Sequence, residues 1–368
     1  MRRYVLLKAY TKRDDEYYTR LQDIENELQH YANAFRGKIV YCPCDDPTKS
    51  NFFKYFVLNF NTLGLKKLIA TSYVESELSY GQITIDKGFR PYKVIIQSVD
   101  GDNYSLDDLL KNRMNSRSLL SGDGDFRSEE CVNLLKEADI IATNPPFSLF
   151  REFIDLLVKY NKLFIILGSN IAICYKNVFP LIKSGDLRIG VNKVSLFDRL
   201  DGTTKGVMAY WYTNVDSGVK KDLLTLTKSY YKDPTLYPKY DNYNAIEVSK
   251  VADIPYDYEG IMGVPLNFID KYNPDQFEIL GLSSTPTCYD NSSGAERTKI
   301  YYNLTVHDKR GGVKFRKKLD ESSVIIYSTA PKGRTYYTVD GIDGFLVTQF
   351  VRILIRRKDF GLEWPIRR

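Results

Sequence analysis

Asn144-Pro145-Pro146-Phe147 is the stretch of this chain whose residue types best match a chemical task. It follows the apolar run Ala138-Asp139-Ile140-Ile141-Ala142-Thr143 and precedes a helix-like stretch from Ser148 to Lys159. A buried strand ending this way presents a side-chain amide oxygen, a free backbone carbonyl and an aromatic face at the carboxyl edge of a sheet. The two prolines stiffen the chain and remove backbone donors, so acceptors dominate the spot. That combination suits an exocyclic amino group on a planar ring. Its two N–H bonds are received, its ring is stacked, and its nitrogen is left ready to attack an electrophilic methyl group. Asn-Pro and Pro-Pro also punctuate ordinary loops. What lifts this run above punctuation is its place between strand and helix, because ligands of open α/β sheets bind just outside the carboxyl ends of the strands.

The elements that must position the run alternate along the chain. Apolar residues Tyr17, Leu21, Ile24, Leu28 and Tyr31, three or four apart, predict a helix over 15–34. Lys38 to Cys42 reads as a short buried strand, and Asp45-Asp46-Pro47-Thr48-Lys49-Ser50-Asn51 as a turn rich in helix caps, followed by a helix from Phe52 to Leu58. Leu65 to Tyr73 is a second strand, and Val94 to Ser98 an inserted hairpin strand after Gly88. A third unit passes through Leu119 to Phe126 into a helix from Ser128 to Lys136, and the fourth strand leads into the Asn-Pro-Pro-Phe run. Strands at Leu163 to Leu167 and Val207 to Thr213, with a helix near Asn177 to Lys183 between them, complete the series. Alternation at this spacing predicts an α/β fold over residues 1–215, with a mostly parallel sheet covered by helices on both faces. From 216 to 368 Tyr, Pro, Asn and Asp dominate long loops, and the texture predicts an irregular α+β region. Strand-like pieces return at Val324 to Tyr327 and at 350–356, the latter expected to rejoin the core.

The Asn-Pro-Pro-aromatic run is similar to the motif of amino-group methyltransferases that use S-adenosylmethionine, a cofactor with a sulfonium, an amino-acid part and an adenosine. Such a ligand needs several separated contacts. The first strand-to-helix turn has no glycine-rich loop; it carries Cys44-Asp45-Asp46-Pro47. A carboxylate there could pair with an ammonium, and the helix start near Ser50-Asn51 could supply backbone donors. An ordinary capping turn would look the same. At the end of the second strand stand Ser72 and Tyr73, with Glu75 two residues on, so the acid for the ribose hydroxyls is not evident. Asp123 or Asp125 is placed to accept from an adenine amino group, with Phe126 beside the ring, although Gly-Asp-Gly-Asp is also common turn chemistry. Pro43-Cys44 superficially matches the nucleophile of enzymes that methylate carbon 5 of cytosine. A covalent thiolate is needed there because a ring carbon is a poor nucleophile. An amino nitrogen needs none, and Cys44 goes with the first strand rather than with the fourth-strand motif, so that role is rejected.

Composition narrows the class further. Of 368 residues 43% are hydrophobic, enough for a full core, and no run approaches the ~18 apolar residues of a membrane span. The N-terminal residues have no apolar stretch of signal-peptide length, so a soluble cytoplasmic protein is expected. Five cysteines without regular spacing argue against a disulfide framework, and two histidines against a His-based metal site. Net charge is +6, but residues 301–368 hold 14 Lys or Arg against 7 Asp or Glu, a local +7 that leaves −1 for the rest. Lys314, Arg316, Lys317 and Lys318 form one cluster, Arg356, Arg357 and Lys358 another; Arg334 precedes Tyr336-Tyr337, and Arg367-Arg368 end the sequence. Any one cluster could be a solvated face; together they suit a phosphate backbone.

Longer strings carry a closer likeness. Asp15-Glu16-Tyr17-Tyr18-Thr19 with Asp23 to Leu28, Cys44-Asp45-Asp46-Pro47 with Ser50 to Phe56, Leu63 to Ala70, Gly122 to Ser128 and Thr143 to Phe150 resemble the EcoRI-type adenine-specific DNA methyltransferases of bacteria and phages. Tyr237 to Tyr243, Gly263-Val264-Pro265 and Arg352 to Ile355 add to it. The resemblance covers most of 14–280 and the C-terminal strand; 281–348 and the residues near 190–206 depart from it. It implies a Rossmann-like class I methyltransferase sheet over 1–215 and a DNA-recognition region over 216–368. It implies S-adenosylmethionine held by Tyr17, Tyr18 and Thr19, by Cys44, Asp45, Asp46, Ser50 and Asn51, and by Asp123, Asp125 and Phe126. The substrate would be an adenine of double-stranded DNA, flipped out of the helix at a cost of a few kcal/mol. Phe147 would stack on it, worth about 1–3 kcal/mol, while the Asn144 side-chain oxygen and Pro145 carbonyl accept from N6. Such an enzyme needs neither a metal nor a covalent intermediate, and works as a monomer. Enzymes with Asn-Pro-Pro-aromatic runs also methylate RNA bases and glutamine side chains, and an inactive nucleic-acid-binding relative could keep the same fold. The target site on the DNA is not transferable from the family.

Overall fold

A computed structural model describes residues 18–73, 90–101, 105–199, 202–284, 295–320 and 322–358. Tyr17, Glu75, Gly88, Cys288 and Arg367-Arg368 lie outside the described residues. The chain divides into two compact units, one of residues 1–178 and 185–219, the other of 179–184 and 220–368.

The first unit is built on eight strands: β1 (Ile39–Cys42), β2 (Lys67–Thr71), β3 (Tyr92–Ile96), β4 (Ser116–Leu119), β5 (Ile140–Thr143), β6 (Leu163–Ser169), β7 (Arg188–Asp198) and β8 (Thr204–Thr213). Their order is β4-β3-β2-β1-β5-β6-β8-β7. Only β2-β1-β5-β6 run parallel; β3 is antiparallel to β2, β4 to β3, and β8 to both β6 and β7. The sheet is therefore mixed rather than mostly parallel. Antiparallel strands are added at both edges of the parallel four, β3 and β4 on one side and β8 and β7 on the other, and β7 is joined to β8 by a short turn. The four parallel strands read as continuous apolar runs, as strands buried on both faces must; all four residues of β5 are buried.

Helices α1 (Leu21–Leu28) and α2 (Asn51–Leu58) share a core with Val40, Leu68, Ile140, Ile165 and Trp211 on one face of the sheet. Helices α3 (Glu129–Glu137) and α4 (Phe150–Lys159) lie against the other, where the Phe150 ring packs 5.0 Å from that of Tyr212. A side chain at Gly168 would strike the Phe150 ring, so β6 must carry glycine there. Ser50 caps α2, accepting from the N–H groups of Phe52 (3.0 Å) and Phe53 (3.4 Å).

Helix α1 begins at Leu21 rather than near residue 15. Ahead of it Tyr18 forms an antiparallel bridge with Asp198, each N–H donating to the other's carbonyl at 2.9 Å, and this extended pairing excludes helix. Beyond Leu28 the predicted helix tightens into a 3-10 stretch, Gln29–Phe35. Strand β7 was not anticipated. Its register shifts twice, between Ile189 and Lys193 and between Val194 and Leu196, so its apolar residues do not alternate. The first shift frees the N–H groups of Val191 and Asn192, and buried Glu27 accepts both, at 2.9 and 2.7 Å, together with the Tyr31 hydroxyl. A Cβ at Gly190 would lie 2.2 Å from Glu27 Oε1, so only glycine lets the carboxylate approach.

The second unit is mainly β, not irregular α+β. Strands β9 (Ala245–Glu247), β10 (Ile261–Pro265), β11 (Phe277–Leu282) and β17 (Arg352–Arg357) form one sheet, ordered β11-β17-β10-β9. Strands β12 (Tyr301–His307), β13 (Val313–Leu319), β14 (Val324–Tyr327), β15 (Tyr336–Thr338) and β16 (Phe345–Thr348) form another, ordered β13-β12-β15-β16-β14. Many of these strands read as polar because one face is solvated, hiding the apolar alternation behind Lys, Arg, Thr and Tyr. The C-terminal strand β17 pairs with β10 and β11 and does not return to the eight-stranded sheet. Arg352 of β17 is held by buried Glu247 at 2.6 Å, and the same carboxylate accepts from the Tyr240 hydroxyl. Gly263 leaves room for that tyrosine, whose hydroxyl would otherwise meet a Cβ at 2.2 Å.

Glu27→Ala should leave four donors without their acceptor, of which the buried Tyr31 hydroxyl alone costs about 1–3 kcal/mol, and lower the thermal midpoint of the protein. An unchanged midpoint would show that Glu27 does not clamp β7.

Candidate active site

Strands β1 and β5 are neighbours, yet the chain leaves β1 toward β2 on one side and β5 toward β6 on the other. Such a reversal opens a crevice at the carboxyl ends of the two strands. A cleft lies there with about 890 Å³ of empty space, its open mouth included. Its walls take Tyr18 and Thr19 from the N-terminal segment, Cys44, Asp45, Asp46, Ser50 and Asn51 from the first turn, Asp125 and Phe126 from the third unit, and Asn144 and Pro145 from the end of β5.

Asp45 ties the cleft together. It is buried, accepts from the Ser50 hydroxyl at 2.5 Å, and accepts on its other oxygen from the Thr143 hydroxyl. Burial pushes its acid up to about 6, while the two hydroxyl donors pull the other way. Asp46 anchors the turn through one oxygen, which accepts from the Thr48 N–H (2.8 Å), the Thr48 hydroxyl (2.7 Å) and the Tyr92 hydroxyl (2.8 Å). Its other oxygen and the Thr19 hydroxyl are buried without a partner among the described residues. Buried polar atoms left unmet are uncommon, and at a cleft wall they mark where a ligand's donors and acceptors belong. Asn51 reaches back to the Thr19 carbonyl at 2.8 Å, fixing the N-terminal segment beside the turn.

The third unit is set by a close approach. Gly124 has φ +82, and a Cβ there would lie 2.2 Å from the Ser72 carbonyl, so the turn presses directly on the end of β2. Asp125 takes three hydrogen bonds from Arg127, from its backbone N–H (2.8 Å) and its guanidinium (2.9 and 2.5 Å). Burial alone would raise this acid, but Arg127 outweighs it and holds it below the usual carboxylate range. Phe126 stands edge-on to Phe153 at 4.9 Å, which fixes its plane.

Several sequence-based candidates are placed differently. Asp123 is exposed outside the cleft, accepting from the Asp125 N–H at 3.0 Å. Phe147 is half-buried and not among the cleft-lining residues; its ring stands edge-on to Phe197 of β7 at 6.2 Å. Pro146 and Leu149 line the cleft beside it, and nothing in the sequence pointed to Leu149. The expected backbone donors of α2 are partly taken, since Ser50 satisfies those of Phe52 and Phe53. Ser72 exchanges hydrogen bonds with the Tyr92 backbone, leaving Tyr73 as the cleft residue from the end of β2. Burial raises the Cys44 thiol well above its ordinary range, which is unsuited to a thiolate nucleophile.

In the second unit Lys314, Arg316, Lys317 and Lys318 come together on β13, an edge strand of the five-stranded sheet, and Arg334 stands exposed in the turn before β15. Arg356 and Arg357 lie apart from them on β17. Arg356 pairs with Glu278 at 2.9 Å and Arg357 donates to the Tyr256 carbonyl, so neither is a simple free cation.

Known proteins give this arrangement a class. Type II methyltransferase M.EcoRI of Escherichia coli is 45% identical over 295 residues, 75% of this chain and 88% of its own length. Type II methyltransferases M.MgeORF184P of Mycoplasma genitalium and M.MpnI of Mycoplasma pneumoniae are each 36% identical over 299 residues, 76% of this chain and 86% of theirs. No solved structure matches the chain. The chain is an adenine-specific DNA methyltransferase. It belongs to the family described as adenine-specific methyltransferase EcoRI, whose model matches residues 5–199 and 193–358 and so runs through 281–348 as well. Membership implies S-adenosylmethionine as methyl donor. No helix among the described residues is long and apolar enough to cross a membrane.

Asp45 gives a pH test. Its acid titrates near 6 in the fold against 3.8 for the free side chain, so the fold favours the protonated form. The stabilisation is complete below about pH 4 and lost as pH rises through 6, about 3 kcal/mol for a two-unit shift. Between pH 4 and 7 the thermal midpoint of the protein should fall relative to that of Asp45→Asn; parallel curves would contradict the assignment.

Proposed function

We propose that the cleft holds S-adenosylmethionine and an adenine turned out of a DNA duplex, and that N6 of this adenine is the methyl acceptor. The observation that carries the proposal is the convergence of the Asp45-Asp46 turn and the Asn144-Pro145 run in one cleft at the β1/β5 reversal. That reversal also supports reading the eight-stranded sheet as a Rossmann-like class I methyltransferase sheet with antiparallel additions at both edges. The residues fit the cofactor. The unmet Asp46 oxygen suits its ammonium and the Thr19 hydroxyl its polar groups, with Tyr18, Ser50 and Asn51 fixing the same wall. Asp125 and Phe126 suit an adenine amino group and ring face, although Asp125 would share its oxygens with Arg127.

On the substrate side the Asn144 side-chain oxygen and Pro145 carbonyl accept the two N–H bonds of the adenine amine. This draws the nitrogen lone pair out of conjugation with the ring. Phe147 offers the stacking face, with Phe197 edge-on behind it to hold its plane. S-adenosylmethionine, when bound, supplies the methyl group as an electrophile on its sulfonium. The protein's part is positioning and a water-poor setting; no side chain has to form a covalent bond. The second unit would read the DNA, with the β13 cluster and Arg334 as its phosphate contacts. We place the enzyme in the cytoplasm as a monomer.

Incubation with labelled S-adenosylmethionine and unmethylated duplex DNA, tRNA or a protein extract, followed by digestion, should yield N6-methyladenine from the DNA alone. Label confined to RNA or protein would overturn the DNA reading, and none anywhere would favour an inactive binding relative. Asn144→Ala should lose about a hundredfold or more in turnover, by analogy with removal of one transition-state hydrogen bond, while cofactor affinity is kept. Asp46→Ala should do the reverse in emphasis, weakening cofactor binding by at least about tenfold, the worth of a charge-assisted hydrogen bond.

A further inference from the structure

The five-stranded sheet of the second unit carries a row of rings on one face. Cross-strand pairing sets His307 of β12 opposite both Val313 of β13 and Tyr336 of β15. The His307 and Tyr336 rings are stacked, 4.6 Å apart and inclined by 11°, and Tyr336 stands edge-on to Phe345 of β16 at 5.3 Å. His307 Nε2 and the Thr338 hydroxyl are 3.1 Å apart, which holds the imidazole in plane. Strand alternation puts Phe315 on the same face as Val313, and the two are 70% and 64% exposed. The opposite face is accounted for, since Leu304, Tyr337 and Leu346 form the core beneath it. Core packing therefore does not explain the outer rings.

Charge surrounds the row. Lys309 and Arg310 stand in the turn joining β12 to β13, Lys317 two residues from Phe315, and Lys332 and Arg334 in the turn leading to Tyr336. Lys309, Lys317, Lys332 and Arg334 make no ion pair among the described residues. Lysines on an edge strand deter sheet-to-sheet aggregation, but that purpose is poorly served by a bare phenylalanine and valine on the same strand. An exposed Phe315 beside the half-buried rings of His307 and Tyr336, bordered by unpaired cations, complements a chain of bases and phosphates. Rings grip base faces, and base faces are hidden inside a duplex and open only in unpaired nucleotides.

We propose that this sheet face is a stacking platform for unpaired DNA, with Phe315, Tyr336 and His307 on bases and Lys309, Lys317 and Arg334 on phosphates. Flipping an adenine creates unpaired nucleotides, so the occupant is one that the reaction itself generates. The platform belongs to the second unit and does not rest on the chemistry given to Asn144.

The test is fluorescence anisotropy of the full chain with a labelled thymidine 20-mer, which offers no adenine to the cleft. The 20-mer should bind at least tenfold more tightly than an abasic phosphodiester of equal length. Phe315→Ala/Tyr336→Ala should abolish that difference without changing the salt dependence, while Phe315→Trp should preserve it. Lys317→Ala should instead flatten the salt dependence. Asn144→Ala should bind the 20-mer as the native protein does, which keeps this test independent of the catalytic assignment. Equal affinity for the 20-mer and the abasic strand would leave a phosphate patch only and overturn the platform. Tighter binding of a uridine 20-mer would overturn its assignment to DNA.

Discussion

A single buried carboxylate holds the site in register. Asp45 receives the hydroxyl of Ser50, which caps α2, and the hydroxyl of Thr143, the last residue of β5. Three elements that meet only at the sheet reversal are thereby fixed to one side chain: the turn after β1, the start of α2 and the residue immediately before Asn144. Two acceptors at the end of a strand are useful only if their separation and direction are constant. Thr143 delivers that constancy to Asn144, and Asp46, one residue on, carries it to the opposite wall. Charging Asp45 in this environment costs stability, and the hydrogen bonds offset only part of the cost. A carboxylate kept at such a position is better explained by the geometry it imposes than by stability.

How much of this was legible in the sequence depends on whether a residue's role is local. Ser50 as a cap, the continuous apolar β5 and the Asn-Pro-Pro-Phe run are local patterns, and each lies where the residue types placed it. Gly124 is a partial case. A Gly-Asp-Gly-Asp string announces a turn, but the contact with the Ser72 carbonyl that makes glycine obligatory depends on another strand's end. Asp125 against Asp123 could not be separated in sequence, because only the fold decides which of two alternate carboxylates faces the cleft. The basic clusters read as one distribution along the chain, whereas β13 and β17 belong to different sheets and the arginines of β17 are already engaged.

Strand β7, which no alternation in the sequence announces, shows why such gaps are physical rather than accidental. A strand is recognised by alternation, and β7 breaks its own alternation with two register shifts. The same irregularity makes it useful. At the first shift, backbone N–H groups released from the ladder are taken by Glu27, which fastens β7 to α1. At its far end Asp198 bridges Tyr18 and receives the Arg20 guanidinium at 3.0 Å, securing the segment that carries Thr19 to the cleft. Between these, Phe197 backs Phe147, the aromatic member of the motif. A regular edge strand would turn only alternate N–H groups away from its partner, whereas the register shift presents two consecutive ones, of Val191 and Asn192, to Glu27. The element hardest to read is therefore the one that reaches the N-terminal segment, the first helix and the motif together. Its irregularity is the means by which it does so.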